Sequence, residues 1–225
     1  MNRFWSILWN LTLWFFATTL FLVMVFKFVP VFATPLMAAR AVENITKDKP
    51  LEFSHDWVSI DDISPNMQKA VIAAEDSNFM THNGFDFEAM KKALDNNSKG
   101  RRIKGGSTIS QQTAKNVFLW QGRSYIRKGL EAYFTVLIEA IWGKERIMEV
   151  YLNSIEMGNN VYGVEAAAHH YFLKTASTLS KREAAAIAAI LPNPRKYKAT
   201  NSSSYISRRK DRIVRHMRHV GELNY

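Results

Sequence analysis

The sequence predicts a mainly α-helical domain behind a single N-terminal membrane-spanning helix. Three observations carry this. Phe4 to Phe26 is an apolar run of 23 residues, polar only at Ser6, Asn10, Thr12, Thr18 and Thr19 and uncharged until Lys27. From Asp61 onward, apolar residues recur at helical spacing behind capping residues. Alternating strand patterns are scarce. With 225 residues, 47% of them hydrophobic, the chain suits one packed domain plus an appendage, which excludes intrinsic disorder. It has no cysteine, so disulfides, thiolate metal sites and a cysteine nucleophile are excluded.

As a helix the apolar run reaches about 35 Å, enough to cross a hydrocarbon core of about 30 Å. Trp5, Trp9 and Trp14 lie toward its start, although the latter two are deep for an interfacial belt. A cleaved signal peptide is the alternative, but the run is long for one and only Arg3 precedes it. Lys27, Arg40, Lys47 and Lys49 follow the span, so charge bias alone does not place the bulk of the chain outside. Phe28 to Met37 stays apolar and is broken by Pro30 and Pro35, reading as a linker or a surface-lying segment. The expected layout is an anchor over 1–30, a membrane-proximal linker over 31–55, the domain over 56–200 and a basic tail over 201–225.

Within the domain, Ser64-Pro65 starts a helix whose face carries Met67, Ala70, Val71 and Ala74. Asp86 caps the next, through Leu94, and Ser107 after Gly105-Gly106 caps a third, to about Leu119. Ile126, Leu130, Phe134, Leu137 and Ile141 stripe a fourth, and Lys144 to Leu152 forms a fifth. Alanine-rich stretches at Val164 to Tyr171 and Arg182 to Leu191 add two more, the last stopped by Pro192 and Pro194.

The net charge of +10 asks for an anionic partner, and it is distributed in blocks. Residues 96–128 hold Lys99, Arg101, Arg102, Lys104, Lys115, Arg123, Arg127 and Lys128 with no acid, whereas 61–95 hold seven acids against three bases. The tail's many Arg and Lys read as a solvated face or a contact for anionic headgroups. Thr108, Gln112 and Lys115 stand at i, i+4 and i+7 with Asn116 alongside, a face too polar for a core stripe. At the start of a helix, such a face offers an anion backbone N–H groups and a cation. Arg127 and Glu131 are i and i+4, which by itself is an ordinary helix ion pair. Glu75-Asp76 closes the Ser64 helix, followed by Phe79, His82 and Gly84. Two acids at a helix C-terminus oppose its dipole and cost stability unless something uses them. A carboxylate against Ala74 and Phe79 has its pKa pushed up, as a general base or acid needs.

Four motifs in order then carry a resemblance: Glu75-Asp76-x-x-Phe79-x-x-His82-x-Gly84, Gly105-Gly106-Ser107-Thr108-x-x-Gln111-Gln112-x-x-Lys115-Asn116, Arg127-Lys128-x-x-Glu131, and Lys144-x-x-Ile147-x-Glu149-x-Tyr151-Leu152-Asn153. Over about Asp56 to Tyr197, through Tyr162-Gly163 and Pro192-Asn193-Pro194, the chain resembles monofunctional members of the family 51 peptidoglycan glycosyltransferases, relatives of the glycosyltransferase domain of class A penicillin-binding proteins. Leu173 departs from the family where Gly commonly precedes the lysine, here Lys174, and Thr113 where Leu is common.

The resemblance implies a lysozyme-like, two-lobed, mainly α fold with a smaller membrane-facing lobe. It implies polymerisation of lipid II into β-1,4-linked glycan strands for bacterial cell wall synthesis, with release of undecaprenyl diphosphate. Glu75 would be the catalytic base and Glu131 the second catalytic carboxylate. Lys115 and Arg127 would hold diphosphates, and Asp76, Phe79, His82, Thr108, Gln112, Asn116 and Lys128 would shape the substrate cleft. Family members often use Mg²⁺ or another divalent cation, which the resemblance puts at the substrate diphosphate. No organic cofactor is implied, and His169-His170 and His216-x-x-His219 make no convincing protein metal site. The implied location is the bacterial cytoplasmic (inner) membrane, single-pass, with the catalytic domain on the periplasmic side. Implied partners are lipid II, the growing glycan chain and cell-wall synthesis or division proteins, with no nucleic acid.

Three other readings share some of these features. A membrane-bound lytic transglycosylase or muramidase has a similar fold and a Glu but no need of a cationic array for a diphosphate. A transpeptidase would need more than Ser207-Arg208-Arg209-Lys210, which fits S-x-x-K but is followed by 15 residues without K-T-G. A membrane-anchored polyanion-binding module would keep its binding in Glu75→Gln.

Overall fold

The computed structural model describes residues 3–50, 52–98, 106–122 and 124–225. Lys99, Arg101, Arg102, Lys104 and Arg123 of the basic block, and Gly105, lie outside them. The order is α1 (Arg3–Phe28), α2 (Pro35–Thr46), β1 (Ser54–His55), α3 (Pro65–Glu75), α4 (Phe87–Ser98), α5 (Ile109–Phe118), α6 (Tyr125–Ile141), α7 (Gly143–Ser154), β2 (Glu156–Gly158), β3 (Val161–Tyr162), α8 (Val164–Phe172), α9 (Lys181–Ile190) and α10 (Ser204–His216). The mainly helical expectation holds.

Helix α1 is long and apolar enough to cross a membrane. Inside it, Thr12 and Thr19 donate their hydroxyls to the carbonyls of Leu8 and Phe15, each at 2.9 Å, so these polar side chains need no water. Its second half docks on the domain. Thr19 Oγ1 lies 2.8 Å from the Tyr133 hydroxyl, and Trp142 Nε1 donates to the Val23 carbonyl at 2.7 Å. Arg146 donates to the carbonyls of Phe26 (2.8 Å) and Val29 (2.7 Å). A cation therefore caps α1 at the end where free carbonyls and the dipole favour one.

The segment expected to be a linker contains α2, which Thr34 caps by accepting from Met37 N–H, with Pro35 at its first position. Arg40 of α2 pairs with Glu43 and with Glu156 of β2, and Arg195 reaches Glu43 at 3.2 Å. This ties α2 to the chain just past α9.

The core has two helical groups. In one, α9 packs between α3 and α10; its run Ala184–Ala185–Ala186–Ile187–Ala188–Ala189 is buried, and small side chains let both neighbours approach closely. In the other, α5 packs on α6 and α7. Gly143, at φ +77, turns the chain between α6 and α7. A small sheet of order β1-β3-β2, with β1 parallel and β2 antiparallel to β3, closes one side against α8. Asn153 fastens β1's neighbourhood: its side chain pairs with Val58 N–H (3.0 Å) and C=O (2.9 Å), and its own carbonyl meets His55 Nε2 at 3.0 Å.

Two elements differ from expectation. The 201–225 tail contains α10, capped by Ser203 and packed on α9 and α3 through Ile206, Ile213 and Met217. Its apolar residues at i, i+7 and i+11 outweigh the solvation of the arginines between them. The cap of α5 is Thr108, not Ser107. Thr108 and Gln111 form a reciprocal capping box, and Gln111 sits three residues past Thr108 but four past Ser107.

Candidate active site

The site forms where the end of α3 meets the start of α5. Asp76, the residue after α3, accepts from Ile109 N–H at 2.9 Å, so its carboxylate sits at the positive end of α5. The same carboxylate faces His82 Nε2 at 2.9 and 3.0 Å, while His82 Nδ1 accepts from Gly84 N–H at 3.1 Å. That leaves the ring proton on Nε2, donated to Asp76. Thr108 donates its hydroxyl to the Gly84 carbonyl at 2.7 Å. Gly84 has φ +86, and a Cβ there would stand 2.7 Å from Thr135 Cγ2, so only glycine fits this turn. Loop and helix start are thus locked together, and the dipole penalty foreseen for Glu75-Asp76 is offset for Asp76 by its use at the next helix.

The clamp aims α5's next turns. Gln112 donates to Glu75 Oε2 at 3.3 Å, and Lys115 follows one turn on. Glu75, Gln112 and Lys115 line a cleft of about 950 Å³ whose far wall is Leu191 to Asn193, Tyr197 and α10. From α10 come Arg208, Arg209, Arg212 and His216. Arg209 Nη2 donates to Glu75 Oε1 at 3.1 Å. The basic tail, read from sequence as a solvated face or a contact for anionic headgroups, therefore supplies a wall of the site. Its Arg residues were visible in the sequence, and the signal for their placement was the spacing of Ile206, Ile213 and Met217 behind Ser203.

Burial pushes the Glu75 carboxyl above the ordinary carboxylate range, opposed by Arg209 and by the Gln112 hydrogen bond, with Asp76 adding to the upward push. Lys115 is pulled below the usual lysine range, first by burial, with Glu131 opposing and Arg127 and Lys128 reinforcing. These influences place Lys115 electrically between the cleft and a second knot on α6. There Glu131 is buried and accepts from Arg127 Nη1 at 2.9 Å and from Lys128. Arg127 Nε and Arg209 Nε are both buried without a partner among the described residues. Buried guanidinium donors left unpaired are costly unless an acceptor arrives.

The expected site residues thus divide. Glu75, Gln112 and Lys115 line the cleft, and Glu131, Arg127 and Lys128 form the neighbouring cationic knot. Asp76, Phe79, His82, Thr108 and Asn116 do not line it: Asp76, Phe79, Thr108 and Asn116 are buried, and Phe79 is covered by Lys144 Nζ 4.7 Å from its ring centre. Asp76, His82 and Thr108 hold the frame that the cleft residues hang on. Sequence reasoning missed Tyr197, Tyr205, Arg208, Arg209, Arg212 and His216 as cleft residues. Among the described residues no cluster of three or more His, Asp or Glu is placed to hold a metal ion. The nearest carboxylates are already bound to Arg209, to His82, and to Arg127 and Lys128. These residues do not fit a protein-held cation.

Residues 42–218, from α2 through α10, match the family model described as Transglycosylase. A protein of Bacteroides thetaiotaomicron named biosynthetic peptidoglycan transglycosylase is 53% identical over 209 residues, covering 92% of this chain and 84% of its own. Proteins of the same name from Caulobacter vibrioides (56% over 191 residues, 85% and 81% covered) and Pseudomonas syringae pv. syringae (50% over 213, 95% and 90% covered) are similar along nearly the same length. With the helical architecture, the cleft and this agreement over most of its length, the chain belongs to the transglycosylase family.

Proposed function

We propose that this chain is a membrane-anchored peptidoglycan glycosyltransferase that polymerises lipid II into β-1,4-linked glycan strands. The observation that carries the reading is one cleft in which Glu75, its carboxyl raised by burial, stands among Lys115, Arg208, Arg209 and Arg212. The reaction needs those two things together. Glu75 takes the proton from the acceptor's 4-hydroxyl as that oxygen attacks the donor's anomeric carbon. The bond from that carbon to the lipid diphosphate breaks, and inversion gives the β linkage. Charge develops on the leaving diphosphate, where fixed cations stabilise it. The unpaired Nε–H groups of Arg209 in the cleft and of Arg127 in the neighbouring knot are suited to donate to such an anion. Glu131, engaged by both Arg127 and Lys128, acts by holding those cations in place.

A lytic enzyme acting on finished glycan would share the base, but it has no use for this density of cations around it. A divalent cation at the diphosphate remains part of the proposal, brought with the substrate rather than held by the protein. The anchor helix supports a bacterial cytoplasmic membrane location, and the substrate's chemistry supports a domain on the periplasmic side, near cell-wall synthesis proteins. Purified protein with labelled lipid II tests the reading. Long glycan is expected, Glu75→Gln should abolish it without unfolding, and Lys115→Ala and Arg127→Ala should weaken use of lipid diphosphates. Near-native polymerisation by folded Glu75→Gln would overturn the mechanism, and unchanged kinetics in both cation variants would remove the anion cradle. Activity lost in EDTA and restored by Mg²⁺ would support the cation.

A further inference from the structure

The uncharged part of the cleft's far wall, beside the arginines of α10, has no evident task in holding a diphosphate. Tyr197 and Tyr205 line it with their rings 5.8 Å apart and inclined at 42°, next to Leu191, Pro192 and Ile213. The support is rigid. Asn193 O accepts from Lys196 and Tyr197 N–H at 3.1 and 3.0 Å, and Asn193 N–H bonds to Ile190 O at 3.0 Å. From outside, Arg195 is pinned by Glu43 of α2. Tyr205 stands on the first turn of α10, fixed by Ser203 accepting from Ile206 N–H.

Two half-buried phenol rings beside a carboxylate and several arginines form an apolar face with polar tips, open to a cleft. The apolar C–H face of a pyranose ring matches it, with hydroxyls left over for the charged neighbours. A prenyl chain is the poorer occupant. It must lead back to the bilayer, and α1 docks on α6 and α7, whereas the tyrosine wall is built from α10 and the segment past α9.

We propose that Tyr197 and Tyr205 form a saccharide-binding platform beside Glu75 that grips pyranose rings of the glycan independently of its diphosphate. This rests on the function proposed above and adds a second recognition element to it. Binding energy from sugar rings remote from the reacting carbon positions the substrate for transfer, so its loss affects turnover as well as affinity.

The test uses the full chain in detergent micelles and a peptide-free, diphosphate-free tetrasaccharide of alternating N-acetylglucosamine and N-acetylmuramic acid, with calorimetry as the readout. The parent protein should bind it. Tyr205→Ala and Tyr197→Ala should each weaken binding about tenfold, and Tyr205→Phe should keep it within about twofold because the ring face remains. Polymerisation assays then separate the two sources of sugar. Shorter strands from Tyr205→Ala identify the growing chain as occupant, and a raised KM for lipid II at unchanged strand length identifies the incoming unit. Absence of tetrasaccharide binding by the parent, or binding by both folded alanine variants equal to the parent's, overturns the platform. Because this readout involves no transfer, its failure leaves the Glu75 mechanism standing, and failure of Glu75→Gln to block polymerisation leaves the platform measurable.

Discussion

Replacing Arg209 with alanine should move the acidic side of the pH–rate profile upward. In the proposed mechanism Glu75 acts as a base, which requires it ionised, and burial already favours its neutral form; Arg209 is the largest influence in the other direction. The pair is partly exposed, with side chains at 24% and 17%. Its worth therefore falls between an exposed pair, about 0–1 kcal/mol, and the 3–5 kcal/mol of breaking a fully buried one, or about 1–3 kcal/mol. At about 1.4 kcal/mol per decade, kcat/KM at mildly acidic pH should drop about 5- to 100-fold. The deficit should shrink as pH rises and Glu75 ionises unaided, and Arg209→Lys should restore much of it. Stability has the matching sign. A carboxyl raised in the folded state binds more protons there than in the unfolded chain, so stability falls as pH rises through the interval between the two values. Removing Arg209 widens that interval, so the variant should match the parent in acid and melt progressively lower toward neutral pH. Lipid II turnover from mildly acidic to alkaline pH, with melts alongside, decides it. A uniform loss across pH would show that Arg209 acts only on the substrate, and a gain in activity would show that the ion pair restrains the base.

Two glycine substitutions should act with opposite signs. Gly163 has φ +78 and ψ 162, and a Cβ there would lie 2.8 Å from the Asn153 carbonyl. Gly163→Ala should therefore cost about 2–5 kcal/mol in backbone strain and overpacking, and lower Tm by roughly 5–15 °C. Gly129, inside α6 with nothing within 4 Å of its would-be Cβ, should gain about 0.5–1 kcal/mol on becoming alanine; equal melts for the two variants would contradict the backbone assignment. Leu173 closes α8 at φ +55 and is 90% exposed, so Leu173→Gly loses little packing and should raise Tm by about 1–4 °C. Arg146→Ala removes the N–H donors from the last carbonyls of α1, and amide hydrogen exchange near Val25 to Val29 should accelerate at least about tenfold; unchanged protection would mean the docking does not depend on it.

What the sequence made legible was local. Ser64-Pro65 and the periodic residues after it give α3 its bounds, and the uncharged run gives α1 its existence. The Leu173 departure was visible as a missing glycine, but its cost became plain only once the position proved left-handed. Pro35 reads in the sequence as a break in an apolar segment, whereas in the fold it is the first residue of α2 behind the Thr34 cap. The pairing of Glu75 with Arg209 spans 134 residues of chain, and no periodicity encodes a contact made through the packing of α3, α9 and α10. The resemblance counts His82 among the residues that shape the cleft, and in the fold the turn ending at Gly84 directs its ring to Asp76.

The docking of α1 bears on how such a cleft meets a lipid substrate. Phe4 to Thr18 face outward with only Ser6 partly covered, whereas Thr19 and Val23 are buried against the domain. The fully exposed stretch spans about 23 Å, short of a hydrocarbon core of about 30 Å. In a bilayer crossed by α1, the apolar layer must then extend past Thr19 or thin locally. Helix α6 runs beside α1 in the same direction, since Tyr133 meets Thr19 and Trp142, the residue after its last turn, meets Val23. Its first residues therefore point toward the N-terminal half of α1. There Tyr125 and Ile126 are 98% and 76% exposed and Trp120 is half exposed, side chains that hydrocarbon and headgroups accommodate without penalty. Arg127 and Lys128 follow immediately in α6, so apolar surface gives way to charge within one turn. In the proposed reaction, a prenyl diphosphate arriving from the side of α1 would meet Arg127 and Lys128 before its sugars reached Glu75.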